Sequence, residues 1–217
     1  MPNSRITAFA EPDNDGERRV IRYLDERLPA EYRIYHSLER YDRGQTYEWD
    51  VLVLAPHALF CLEIKDWRGR IVGNDREWVL SDGVLRRNPY WLANKKAQIL
   101  KHRLTRNDAS LDKVWTQALV VIADDRTELK LEGDSARFVV TLRDIVARLS
   151  DTGNQQWAGR DLLASFDKIH DVLTRDFRPV TPDRELAQFR LIEQIGASDL
   201  YTEWRAQNLY LVKPVPV

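Results

Sequence analysis

Asp50, Glu63 and Lys65 are the residues of this chain whose types and spacing could do chemistry. They stand in the stretch E-W-D-V-L-V-L-A-P-H-A-L-F-C-L-E-I-K, from Glu48 to Lys65. Two apolar, strand-forming runs flank a turn built on Pro56, and each carries an acid where a buried strand should carry none. If Pro56 and His57 form a hairpin tip and Ala55 pairs with Ala58, Asp50 lies directly opposite Glu63. Directly opposed residues have Cβ atoms about 4.5 to 5.5 Å apart. A loop one residue shorter or longer would shift the register and send the two acids to opposite faces. Glu63 and Lys65, two apart on one strand, share a face in any register. Two carboxylates and an ammonium converging at a sheet surface suit a hard divalent cation with a water beside it. The same pattern also suits a cross-strand salt bridge. However, Val51, Leu52, Val53 and Leu54, with Leu59, Phe60, Leu62 and Ile64, make both faces apolar. In a strand pair covered on both sides, an uncompensated charge costs several kcal/mol, which favours a site over a simple ion pair.

The elements around this hairpin must position it. Turn formers in E-P-D-N-D-G precede a helix over 16–28, which Pro29 closes. Val20, Ile21, Leu24 and Leu28 recur at helical spacing, and Glu17 falls on their stripe. A first-turn acid that complements the helix dipole explains Glu17 equally well. A strand is expected over 32–38, followed by a polar loop, E-R-Y-D-R-G-Q. After the hairpin, turns at 66–69, 74–75 and 81–83 bracket short strands at 70–72 and 78–80. Trp67 and Trp78 read as packing residues. Asn88-Pro89 starts a helix that runs to about Leu104 on Ala93, Ala97, Leu100 and Leu104. Arg86, Arg87, Lys95, Lys96, Lys101, Arg103 and Arg106 gather in this region with only Asp108 opposing. They suit either a phosphate-tracking surface or a solvated helix face. A buried strand over 114–123, a shorter one over 137–140 and a helix over 141–149 complete an α/β domain, a mixed central β-sheet flanked by helices. A boundary is placed in the polar run S-D-T-G-N-Q-Q, 150–156. Beyond it come an amphipathic helix over 161–177 and a Pro-containing linker.

Composition bounds the function. The 217 residues carry a net charge of −1, so no global field marks a nucleic-acid binder and any basic footprint must be local. Cys61 is the only cysteine, which excludes a disulfide framework within the chain and suggests a reducing compartment. Its apolar strand makes it a packing thiol. The N-terminus lacks a signal-peptide core and no apolar run is long enough to span a bilayer, so a soluble cytoplasmic protein with no membrane partner is expected.

The arrangement D-(x)n-E-x-K resembles the PD-(D/E)xK nuclease superfamily, although no Pro precedes Asp50. The specificity lies in the surroundings: Gly16-Glu17 opening the first helix, W-D-V-L-V-L, C-L-E-I-K-D-W-R-G-R-I, Trp78, and N-P-Y-W-L-A-N-K-K-A-Q-I-L ending near Gln98. Together these resemble the NERD (nuclease-related) domain, drawn here over 1–150. The resemblance implies a restriction-endonuclease-like fold and hydrolysis of nucleic acid, DNA above all, with Mg²⁺ or Mn²⁺. Asp50, Glu63 and the carbonyl of Ile64 would hold the metal, and Glu17 would complete its shell. Lys65 would position water and help deprotonate it, while Gln98 would hold water or a phosphate oxygen. Arg86, Arg87, Lys95, Lys96, Lys101 and Arg103 would track nucleic acid.

After the helix and linker of 151–182, the segment 183–217 contains I-G-A-S-D-L-Y-T-E-W-R-A. This resembles the first hairpin of a protein kinase, I-G-x-G-x-F-G-x-V-Y-x-A. Only Gly196 survives; Ser198 and Tyr201 replace glycines and Glu203 replaces the Val. Lys213 stands where a third-strand lysine could fall. Bulky Tyr201 argues against backbone closing over ATP phosphates. The segment is read as the start of a larger kinase-like protein or as a remnant used for contacts. Proteins joining these two parts occur in bacterial phage-defence systems, so other defence proteins are expected partners. A different reading keeps the fold but not the chemistry: a module that binds nucleic acid or docks a kinase-like region.

Overall fold

The computed structural model describes residues 5–42 and 45–180, and, beyond these, 185–186, 189–197 and 202–208. By packing, the chain divides into a first unit, Met1–Val180, and a second, Thr181–Val217. In chain order the first unit contains β1 (Ile6–Ala8), α1 (Asp15–Arg27), β2 (Arg33–Asp42), β3 (Gln45–Leu54), β4 (Leu59–Lys65), β5 (Arg70–Gly73), β6 (Glu77–Val79) and β7 (Leu85–Arg87). There follow α2 (Tyr90–Asn107), β8 (Thr116–Ile122), β9 (Glu128–Leu131), β10 (Val139–Thr141), α3 (Ile145–Ser150), α4 (Phe166–Asp176) and β11 (Arg178–Pro179).

Among the described residues the central sheet runs β1-β2-β3-β4-β8-β10, with β11 paired to β2. β1 lies parallel to β2, and β4 and β10 lie parallel to β8, while β2-β3 and β3-β4 are antiparallel, so the sheet is mixed as expected. A smaller sheet, β7-β6-β5-β9, lies apart from it.

The central hairpin keeps the register that its sequence suggested. Val51 faces Leu62 and Leu54 faces Leu59, and the Ala55 amide donates to the Ala58 carbonyl at 2.9 Å. Alternation then sorts the side chains. Val51, Val53, Phe60, Leu62 and Ile64 pack with Val20, Ile21 and Leu24 of α1. Leu52, Leu54, Leu59 and Cys61 pack on the opposite face with Ala93, Ala97, Leu100 and Leu104 of α2 and Ile169 and Leu173 of α4. Asp50, Glu63 and Lys65 share the parity of this second set, so the acids face α2. Burial pushes the Cys61 thiol up to about 12, which keeps it protonated and inert as a packing group. Trp78 is fully buried, with Trp67 edge-on at 5.9 Å, and Trp67 is half-buried and packed against the core.

Three differences from the sequence reading have clear causes. Residues 39–42, expected to open a polar loop, instead continue β2, where Glu39 accepts from Arg178 of β11 at 2.7 Å and Arg40 donates to the Asp176 carbonyl at 2.6 Å. Secondly, packing does not break at 150. Trp157 and Leu162 are buried, the Leu162 amide donates to the Pro56 carbonyl at the hairpin tip, and α4 lies in the α2-side core, so the break falls after Val180. Thirdly, the helix expected over 141–149 shortens to α3, since Val139–Thr141 continues the sheet beside β8.

In the second unit β12 (Glu185–Leu186), β13 (Phe189–Ala197) and β14 (Thr202–Asn208) form an antiparallel sheet. β13 pairs β14 from Phe189 opposite Asn208 to Ala197 opposite Thr202, with two register shifts. Ser198, Tyr201 and Lys213, singled out from sequence, lie outside the described residues. Among the described residues no helix is long and apolar enough to cross a membrane.

Candidate active site beside the central hairpin

Asp50 lies one step beyond the last paired residue of the hairpin, Val51 opposite Leu62. There the ladder passes from backbone to side chain: the Ile64 amide donates to Asp50 Oδ2 at 2.7 Å. On the other flank, β2 pairs His36 with Val51 and Leu38 with Trp49, which keeps the register and sets Ser37 opposite Asp50. Ser37 has φ +58°, and among the described residues no other non-glycine has a positive φ. A left-handed backbone costs an L-residue roughly 1–2 kcal/mol. Such strain persists only where surrounding structure imposes it, and it clusters at functional sites.

Glu63 is buried, and each of its oxygens meets an ammonium. Lys65 Nζ donates to Oε1 at 2.8 Å, and Lys96 Nζ donates to Oε2 at 2.5 Å. The same Lys96 nitrogen lies 3.8 Å from Asp50 Oδ1. Burial raises the Asp50 carboxyl above the ordinary range, and the neighbouring Glu63 charge raises it further. Burial pushes on Glu63 in the same direction, but Lys96 and Lys65 outweigh it and hold that carboxyl well below the ordinary range. For Lys65 and Lys96 desolvation favours the neutral amine; Glu63 and then Asp50 overcome it, so both stay charged.

Glu17 arrives from α1. Asn14 caps the helix through Oδ1, which accepts from the Glu17 amide at 3.0 Å. The Glu17 carboxylate turns back to accept from the Asp13 amide at 3.0 Å and from Asn14 Nδ2 at 2.6 Å, a variant of the reciprocal capping box. This tight first turn abuts the end of β4. A Cβ on Gly16 would stand 2.7 Å from the Asp66 Cβ, which explains why glycine precedes the glutamate. Desolvation and then the Asp50 charge push the Glu17 carboxyl up to about 7.

Glu17, Asp50, Glu63, Ile64, Lys65 and Lys96, with Asp13, Glu48, Tyr47 and Leu92, line one cavity of about 350 Å³. Its donors to a metal are all oxygens, and its carboxylates outnumber its ammonium groups. Desolvation first, and the charge of a neighbouring carboxylate second, raise Asp50 and Glu17, and a hard divalent cation would offset both. Asp50, Glu63, the Ile64 carbonyl and Glu17 are the residues that could hold it. Among the described residues no three acidic, histidine or cysteine side chains are already grouped as an ion would require. With Lys96 between them, Asp50 and Glu63 are held by an ammonium.

Two residues stand elsewhere than the sequence reading placed them. Gln98 is exposed and lines a separate cavity with Asn94, Lys101, Asp112 and Trp115, because two residues on from Lys96 a helix has turned by over half a circle. Lys96, read as part of a phosphate-tracking surface, is buried among the acids instead. The signal was present: Lys96 follows Ala93 by three and precedes Leu100 by four, on the buried stripe of α2. Ser37, by contrast, carries no signal in the sequence. The remaining basic residues differ in exposure. Arg87 and Lys95 are exposed, Lys95 with its ammonium 5.1 Å over the ring of Tyr47; Arg86, Lys101 and Arg103 are half-buried, and Lys101 is tied to Asp112 at 3.3 Å.

Residues 12–123 match the family NERD, described as a nuclease-related domain. Over 163 residues the chain is 28% identical to a Streptomyces coelicolor protein named "Probable kinase PglW", an overlap of 72% of this chain and 10% of that protein. The chain thus spans about a tenth of that relative's length. No solved structure matches it.

Proposed function

The chain belongs to the nuclease-related domain family, and from this premise we propose that its first unit is a metal-dependent nuclease acting on phosphodiester bonds of DNA. The observation that carries this reading is the convergence of Asp50, Glu63 and Lys65, with Glu17, on one cavity. Asp50, Glu63 and the Ile64 carbonyl would hold Mg²⁺ or Mn²⁺, with Glu17 completing the shell. The ion's contribution when bound is to stabilise charge on the phosphate and to acidify water. Asp50 is aimed by the Ile64 amide, which donates to its Oδ2 at 2.7 Å, so it is fixed before substrate arrives. Lys65 donates to Glu63 from the more exposed side of the pair, its side chain 27% accessible against 9% for Lys96. From there its ammonium can orient a water or move a proton at Nζ. Lys95 and Arg87, and Arg86 beside it, would meet the backbone phosphates. The test is cleavage of supercoiled, linear and single-stranded DNA, and of RNA, with and without Mg²⁺ or Mn²⁺. Metal-dependent cleavage that Lys65→Met abolishes, while the variant still binds Mn²⁺, is expected; cleavage that persists in Lys65→Met would remove this lysine from the chemistry.

A second reading is favoured by the two ion pairs on Glu63, which satisfy both its oxygens without an ion. Here the unit binds nucleic acid or docks a partner and does not cut. A calorimetric titration separates the two: no heat from saturating Mn²⁺ supports the module. We propose further that 183–217 is a kinase-like hairpin and that the chain works beside a kinase-like region in phage defence. The β13-β14 hairpin and the relative's printed name support the kinase-like part of this reading. Copurification of the chain with defence-system proteins from the native host would test it.

A further inference from the structure

We propose, resting on the reading of Asp50 and Glu63 as cation ligands, that Lys96 is a resident counter-cation of the site, which must withdraw before a divalent ion can enter. α2 carries the lysine on its buried stripe, where its neighbours Ala93, Ala97 and Leu100 are core residues. Its ammonium lies 2.5 Å from Glu63 and 3.8 Å from Asp50, between the two acids. Without it, the buried Glu63 and the partly buried Asp50 would face each other with Lys65 as their single ammonium, so the lysine holds the ion-free site together. Mg²⁺ sits about 2.0–2.1 Å from its oxygen ligands. An ion at that distance from Glu63 Oε2 and an ammonium on the same oxygen are neighbouring cations and exclude each other. Lys65 is differently placed, since it takes the other oxygen of Glu63 from the more exposed side. One turn before Lys96, Leu92 lines the same cavity. It offers no acceptor itself; the other carboxylates of this cavity are Asp13, Glu17 and Glu48. Lys96 is in this account a positioning residue: it sets how readily the acids take the ion.

The account reverses the effect expected of a merely structural ion pair, whose loss would loosen the site and weaken ion binding. Calorimetric titration of Mn²⁺ into the metal-stripped full chain compares wild type with Lys96→Met, Lys96→Gln and Lys96→Arg, alongside melting with EDTA or excess Mn²⁺. Lys96→Met and Lys96→Gln should bind Mn²⁺ at least about tenfold more tightly, because cation repulsion this close exceeds that factor in surroundings drier than bulk water. They should melt lower than wild type in EDTA and gain more on adding Mn²⁺. Lys96→Arg restores the charge and should return the affinity toward that of wild type. Lys96→Gln keeps a donor to Glu63 and carries the test if Lys96→Met does not fold without metal. If wild type binds Mn²⁺ and the two neutral variants bind no tighter, the counter-cation role is wrong while the cation site stands. If none of the proteins binds Mn²⁺, the cation site itself falls, and this inference with it.

Discussion

Replacing Glu17 by Gln should change the sign of its effect on stability between acid and alkaline pH. The Glu17 carboxyl stands at about 7 in the folded chain against an ordinary 4.5, because it is desolvated and faces Asp50. A group whose pKa rises on folding contributes stability that is fully present below its unfolded pKa and is lost as pH rises through the folded one. For Glu17 that window runs from pH 4.5 to about 7. Each pKa unit corresponds to about 1.4 kcal/mol, which gives about 3.5 kcal/mol for full desolvation. On a cavity wall that admits water, about 2 kcal/mol is the better figure. Gln cannot ionise, so the variant does not incur this loss. It does lose one hydrogen bond: Glu17 accepts from both the Asp13 amide and Asn14 Nδ2, and a Gln amide offers one acceptor and turns its NH₂ on the second donor. Asn14 cannot flip to compensate, since its Oδ1 already caps the helix. That mismatch costs about 1 kcal/mol. Glu17→Gln should therefore be about 1 kcal/mol less stable than wild type at pH 4.5 and about 1 kcal/mol more stable at pH 8. Urea unfolding in EDTA, followed by fluorescence of the buried Trp49, Trp78 and Trp157, measures both. A stability difference that stays constant over this range, or moves the other way, would refute the idea that Glu17 is held neutral by burial and by Asp50.

The two central acids should part company in the same assay. Asp50→Asn should be neutral or stabilising by about 1 kcal/mol, because it removes a charge that its surroundings oppose, whereas Glu63→Gln should cost about 3 kcal/mol by stranding Lys96 and Lys65; both should lose cleavage, and equal stabilities would contradict the assigned charge balance. Gln98→Ala, in its separate cavity, should leave stability within about 0.5 kcal/mol and the cleavage rate unchanged, so a large loss of cleavage would return Gln98 to the site. Changing Arg86, Arg87 and Lys95 together to Gln should weaken DNA binding uniformly across sequences and reduce its salt slope by up to about 3. An unchanged slope in a filter-binding or anisotropy series would move the phosphate contacts elsewhere.

Much of the site was written into local sequence because strand alternation is local. A Pro-His tip between Ala55 and Ala58 is enough to set the register, and that register places Asp50, Glu63 and Lys65 on one face wherever the hairpin sits. The helix over 16–28 was legible for the same reason, as was the parity that buries Cys61, whereas the choice of Asn14 among the turn formers as the cap was not. What sequence could not supply is which element covers which face. Nothing in the hairpin says that α2 lies on the side of the acids and α1 on the other, so Lys96 read as one of several basic residues and Gln98, by resemblance, as a site residue. The two side chains are only two positions apart, and the rotation of α2 about its axis, fixed by packing Ala93, Ala97 and Leu100 on the sheet, sends one to the acids and the other to a different cavity. The strain at Ser37 is likewise a product of tertiary structure, because a left-handed residue inside a strand arises from the pairing on either side of it. Long-range packing also placed the boundary after Val180: the amphipathic pattern of 161–177 announces a helix with a buried face, but only the folded core shows that this face is buried with that of α2.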